Sequence, residues 1–187
     1  MTVNGRKSVI TKVVDLDLDA PSSSNEIETL ENSLPFCRGL IVPFCVHVRK
    51  AEKLAGGDGY VTIDSLKEEF ASPAWESLNN RDSILVRILL SSAFKNNDKG
   101  ITHEDHICAD TLKLFGILHC QGNPKDKAEE FYNLLQEGGK AQHPKISAND
   151  KDLKPVFQKM CDFVTRDIFV TFSRIAGKEV LYEENEL

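Results

Sequence analysis

The sequence predicts an all-α protein, and three observations carry that expectation. Apolar residues recur at three- and four-residue spacing through most of the chain beyond position 36. Helix boundaries are marked by suitable residues: Asn123-Pro124-Lys125-Asp126 offers a capping side chain, a first-turn proline and an acidic third residue, while Gly56-Gly57 and Gly138-Gly139 stand where helices should stop. Finally, three short segments resemble one another: Val61-Thr62-Ile63-Asp64-Ser65, Ile101-Thr102-His103-Glu104-Asp105 and Ile146-Ser147-Ala148-Asn149-Asp150, spaced 40 and 45 residues apart.

Residues 1–36 differ from the rest. Val14-Asp15-Leu16-Asp17-Leu18-Asp19 alternates apolar and acidic with period two, and Ala20-Pro21-Ser22-Ser23-Ser24-Asn25 follows as linker chemistry. This composition suits an extended N-terminal arm that either stays unstructured or adds a strand to a partner. A first helix is expected from Leu40, Ile41, Phe44, Cys45, Val48, Ala51 and Leu54, with Pro43 near its start. Ile84 to Leu90 is apolar nearly all round except at Arg87, as in a helix buried on most sides. Ile107, Thr111, Leu114, Phe115 and Leu118 form a stripe on a helix taken to span 104–119. The helix after Asn123 should bury Ala128, Phe131, Leu134 and Leu135. A last helix is expected from near Asp150 to Ile175, with Leu153, Val156, Phe157, Met160, Phe163, Val164 and Phe169 inward. The expected units are an arm at 1–36, a helical pair at 37–122, and a third unit with the C-terminal helix at 123–187.

Composition narrows the function. With 187 residues the chain can bury a substantial core, and 23 Lys plus Arg against 29 Asp plus Glu give a formal charge of −6 with no long basic run. That balance argues against nucleic acid, because neutralising phosphates requires clustered cations. The longest apolar run, Leu40 to Val48, is interrupted by Pro43 and His47 and is much shorter than the roughly 20 residues that span a bilayer. No membrane span or secretory leader is expected, so the expected compartment is the cytoplasm. Cys37, Cys45, Cys108, Cys120 and Cys161 are odd in number and never spaced C-x-x-C, so reduced thiols are expected rather than a disulfide framework or zinc ribbon.

The repeated segments carry the most specific reading. A β-branched residue can pair with its counterpart in a neighbouring loop, and the hydroxyl beside it can cap the departing helix. Thr102-x-x-Asp105 and Ser147-x-x-Asp150 approach capping boxes with Asp in place of Glu. In this succession of helix, turn, one short strand residue, cap and helix, residues 38–175 resemble the EF-hand, or calmodulin-like, superfamily. Asp58-Gly59-Tyr60-Val61-Thr62-Ile63-Asp64-Ser65-Leu66 looks like the second half of a calcium loop, with Gly59 at the sharp turn and Val61 in the strand position. The resemblance implies helix–loop–helix units with very short loop strands.

The departures are equally informative. Calcium loops take ligands from positions 1, 3, 5, 9 and 12. In the first unit these become Leu54, Gly56, Asp58, Thr62 and Ser65, which lack most of the required charge. Ungapped counting over 94–105 gives Phe94, Asn96, Asp98, Thr102 and Asp105, with Lys99 in place of glycine and Gly100 one position late. Asn96, Asp98 and Asp105 are therefore the candidate metal ligands, with weak or absent calcium binding expected because Asp is short and Lys99 is positive. Gly139, Ala141 and His143 in the third unit offer no calcium site.

Other constellations reduce to structure. His103, His106, Cys108, His119 and Cys120 lie close in sequence, yet His106 and His119 would stand roughly 20 Å apart along one helix. Glu68-Glu69 and Glu129-Glu130 read as solvated helix faces, and Trp75 after Ser72-Pro73 reads as a core or interface anchor. No nucleophile elbow, zinc-protease or dinucleotide motif is present, so no catalytic residue and no cofactor are expected. The expected role is a calcium-independent interaction or structural scaffold with a protein partner, of which a cytoskeletal or ciliary microtubule assembly is the suggested kind. The alternative is a calcium sensor or buffer using the 94–105 loop. An odd number of units leaves one strand without company, which a cryptic fourth unit, a second copy of the chain or a partner could supply.

Overall fold

The computed structural model describes residues 34–95, 103–137 and 153–164. Helices dominate the described residues, joined by one short antiparallel ladder. In chain order they are α1 (Ile41–Leu54), β1 (Tyr60–Val61), α2 (Ile63–Glu69), α3 (Ile84–Leu89), β2 (Ile107–Cys108), α4 (Ala109–His119), α5 (Pro124–Glu137) and α6 (Leu153–Asp162). Short 3₁₀ turns at Pro35–Arg38, Pro73–Asn79 and Ser92–Phe94 connect them.

Helix α1 is the central member and packs against α2, α4 and α5. Its inward stripe is Ile41, Phe44, Cys45, Val48 and Ala51, the three- and four-residue spacing of one helical face. Pro43 is tolerated because it occupies the first turn, where its missing N–H costs no intrahelical bond. The start of α1 is tied to the α4–α5 turn: Ile41 N donates to Gln121 O and Gln121 N to Gly39 O, both at 2.8 Å. Where α1 crosses α4, Gly116 lets the Phe44 ring approach so closely that an added Cβ would lie 2.2 Å from Phe44 Cε1.

The core is strongly aromatic. Phe36 meets Phe44, Trp75 and Phe115 edge-on with centroids 5.4, 5.2 and 4.9 Å apart. Phe163, just beyond α6, inserts against Phe94 and Phe115 at 5.3 and 5.4 Å, which fastens the last described helix to the rest. Leu34 and Phe36, placed with the N-terminal arm by the sequence reading, are buried in this core. The acidic alternation at 14–19 and the segment at 146–150 lie outside the described residues.

Helix α5 starts as the sequence predicts: Asp126 N donates to Asn123 Oδ1 at 2.9 Å, and Asn123 Nδ2 donates to Asp126 Oδ2 at 2.8 Å. Elsewhere the structure corrects individual expectations. Leu40 and Leu54, expected inward, are 59% and 50% exposed: Leu40 precedes α1 and Leu54 is its last residue, so both stand at the ends of the buried stripe that runs from Ile41 to Ala51. Ala128 is exposed, and Phe157 and Val164 of the last helix also face outward. Phe157 keeps an aromatic contact with Phe131 at 5.7 Å.

Candidate functional site

Among the described residues, polar side chains gather where the turn after α1 meets the segment 103–108 before α4. The first loop leaves α1 through Gly56, Gly57 and Gly59, at φ +119°, +81° and +80°. Gly59 supplies the sharp reversal before β1, a conformation that side chains resist. Thr62 then caps α2 reciprocally with Ser65: Ser65 N donates to Thr62 Oγ1 at 3.1 Å, and Thr62 N donates to Ser65 Oγ at 3.0 Å.

The second loop does not follow the expected frame. Val61 pairs with Ile107, and Tyr60 with Cys108, in antiparallel register. Ile101, the expected counterpart of Val61, is six positions earlier. The helix taken to begin near 104 begins instead at Ala109, after Cys108, with no side-chain cap on its first turn. Asp105 consequently sits in a turn, where His106 N donates to His103 O at 3.1 Å, and does not cap the next helix as the Thr102-x-x-Asp105 pattern suggested. The physical reason is burial: Ile107 is fully enclosed, and Ala109 N donates to Gly59 O at 3.0 Å, so the extended strand satisfies both apolar and backbone demands there.

Around this ladder the side chains are organised. The His106 ring stacks on Tyr60 with centroids 3.8 Å apart and planes 11° off parallel. His103 lies 4.7 Å from His106, ring to ring. Burial, the neighbouring His103 and the Lys95 ammonium hold His106 below the ordinary histidine value, with Asp105 opposing them. Lys95 turns back over the loop: its Nζ donates to Glu104 O at 2.5 Å and to His106 O at 2.7 Å. Arg81 Nη2 reaches Asp105 Oδ1 at 3.4 Å.

Of the candidate metal ligands, Asn96 and Asp98 lie outside the described residues, and Asp105 is exposed beside Arg81. Among the described residues no three His, Cys, Asp or Glu side chains converge as a metal site. His119 stands apart at the end of α4, its ring 4.3 Å from Phe115, and burial pulls it down to about 4. Cys45 and Cys120 are pushed up to about 12, chiefly by burial, so both are thiols without nucleophilic character at neutral pH.

Sequence reasoning missed several charged groups. Glu130, assigned to a solvated face, is buried and accepts from Arg49 Nη2 between α5 and α1. Glu69 receives the His47 ring nitrogen at 3.2 Å. Lys113, only 2% exposed, extends its Nζ to Asp110 at 3.2 Å and Glu52 at 3.6 Å. These charges occupy helix positions that no local pattern separates from surface. Lys95 is equally hidden, because its acceptors are backbone carbonyls eleven and nine residues away. No family model, curated protein or solved structure matches the chain.

Proposed function

We propose that the chain is a calcium-independent interaction scaffold built on EF-hand-like helix–loop–helix units. The observation that carries the reading is the repeated order helix, loop, strand, helix, with β1 and β2 paired antiparallel between α1–α2 and α3–α4. In an EF-hand frame Val61 holds the eighth loop position, and Ile107 becomes its equivalent. The second frame then runs from Gly100 to Thr111 and places only Glu104 among acidic ligands at positions 1, 3, 5, 9 and 12.

The polar groups of these loops already have work within the protein. Thr62 and Ser65, at ligand positions 9 and 12 of the first loop, cap α2 and each other. Three ligand positions there, Leu54, Gly56 and Asp58, supply a single carboxylate. A calcium ion requires six to eight oxygens with several charges among them, so the helices must be held by packing instead. The aromatic core and the Arg49–Glu130 and Lys113–Glu52 pairs provide that packing. Surface suited to a protein partner remains: Val42 and Val46 on the outer face of α1 are each 40% exposed. An open groove of about 300 Å³ beside Trp75, Phe70 and Pro73 adds to it.

Calorimetric titration of the full chain with calcium tests this reading. The expected result is no heat up to millimolar calcium. Heat at micromolar calcium overturns it, and loss of that heat in an Asp98→Ala, Asp105→Ala double variant would identify a sensor loop at 94–105.

A further inference from the structure

Exposed apolar side chains gather on α1. Of the seven large hydrophobic residues exposed among the described residues, four lie in or beside this helix: Leu40, Val42, Val46 and Leu54. Scattered singly, such residues need no explanation. Here Val42, Val46, Lys50 and Leu54 follow one another at four-residue intervals, forming a ridge opposite the buried stripe that advances about 6 Å at each step. Pro43 and Lys53, both exposed, flank it. None of the ion pairs among the described residues takes up Lys50 or Lys53. The face is therefore apolar and cationic together.

The complementary chemistry stands in the same chain. Val14-Asp15-Leu16-Asp17-Leu18-Asp19 alternates three apolar with three acidic residues. An extended segment of this kind repeats its apolar edge every two residues, about 6.6 Å, close to the step of the ridge. Leu16 and Leu18 then match Val42 and Val46, and the long stems of Lys50 and Lys53 carry their charges past the apolar contact to the acidic edge. Leu34, where the described core begins, lies 15 positions after Asp19, a tether of up to about 50 Å against a helix about 21 Å long. We propose that residues 14–19 dock on the outer face of α1, so that the chain's own arm occupies this surface. Tethering supplies the segment at roughly millimolar effective concentration, so a weak contact suffices. This deepens the interaction reading above and rests on it: a partner that uses this face displaces the arm and carries the same acidic and apolar chemistry.

The test is carbodiimide cross-linking of the full chain, which joins an amine to a carboxylate only where the two touch, followed by peptide mass spectrometry. Equal amounts of unlabelled and isotopically labelled chain are mixed, so that links within one chain are told from links between two. The expected result is links within one chain from Lys50 or Lys53 to Asp15, Asp17 or Asp19. They should be several-fold more frequent than links from the same aspartates to Lys125, which is exposed at the start of α5, a helix that itself packs on α1. Leu16→Ser with Leu18→Ser keeps every carboxylate and leaves the described core untouched, yet should lower the yield at Lys50 and Lys53 several-fold. Val46→Asp, a change at an exposed position that sets a like charge on the ridge, should do the same. Equal yields at Lys125, or yields indifferent to the Leu16 and Leu18 changes, overturn the proposal by reducing the links to random encounters of a tethered acidic segment. Links between labelled and unlabelled chains overturn it in favour of a second copy on the face, and the absence of links to the arm leaves the face to another protein. None of these failures touches the calcium-independent reading, which calcium titration decides.

Discussion

The two loops that meet at the Tyr60–Cys108 ladder reach the same pairing by different chemistry. The first is built locally: glycines make the turn, and Thr62 and Ser65 close the first turn of α2 within four residues. The second is built from a distance. Its helix α4 starts without a side-chain cap, and its last residues are held by Lys95, by Arg81 and by the Tyr60 ring. One ladder can therefore rest on a self-sufficient turn on one side and on tertiary tethers on the other.

The sharpest way to break that comparison is to remove the strand residue of the tethered side. Ile107 is fully buried, and Ile107→Ala should cost about 2–5 kcal/mol in urea unfolding, the range for truncating a core aliphatic side chain. Val61→Ala should cost less because fewer methyl groups are lost, and the double variant should fall short of the sum, since the two residues face each other across the ladder. A cost below about 1 kcal/mol at Ile107 would mean that the second loop does not depend on this pairing.

A smaller effect separates the two helix starts. Thr62→Ala removes the acceptor for Ser65 N and should destabilise by about 1 kcal/mol. Thr62→Ser, which retains the hydroxyl, should restore most of it. Equal loss in both variants would show that the methyl group of Thr62, rather than its cap, holds the first loop.

The same contrast explains what could be read in advance. The first loop was legible because its turn, strand residue and cap are neighbours in sequence, so Gly59, Val61 and Thr62 announce themselves. The α5 start was legible for the same reason, through Asn123 and Asp126. The second strand lies six residues beyond the position that the repeat suggests, because Ile101-Thr102 and Ile107-Cys108 both offer a β-branched residue followed by a small polar or thiol side chain. Only pairing with Val61 decides between them. Glu130 and Lys113 are illegible for a related reason: a charged residue is ordinarily placed in water, and what buries these two is a partner on another element. The mainly helical character survived such errors because it depends on many repeated apolar spacings rather than on any single residue.

The smallest expected effect concerns Asp105, which pairs with Arg81 and sits between the two residues whose carbonyls hold Lys95. Its carboxylate is 54% exposed and Arg81 is 69% exposed, so water screens their contact and the pair should contribute only about 0.2–1 kcal/mol. Asp105→Asn should therefore lower stability slightly, and by less again at 1 M salt, where the screening length falls to roughly 3 Å. Arg81→Gln should have a similar small cost if the pair is all that Asp105 provides. Asp105 also favours the charged form of Lys95, whereas Arg81 is bonded to Asp105 and not to the ammonium. The comparison of the two variants is thus decisive: a larger loss for Asp105→Asn than for Arg81→Gln, persisting at high salt, would show that the Asp105 charge supports the Lys95 tether as well as pairing with Arg81. Equal and salt-sensitive losses would leave it a surface partner of Arg81, with the tethered loop resting on the two carbonyls alone.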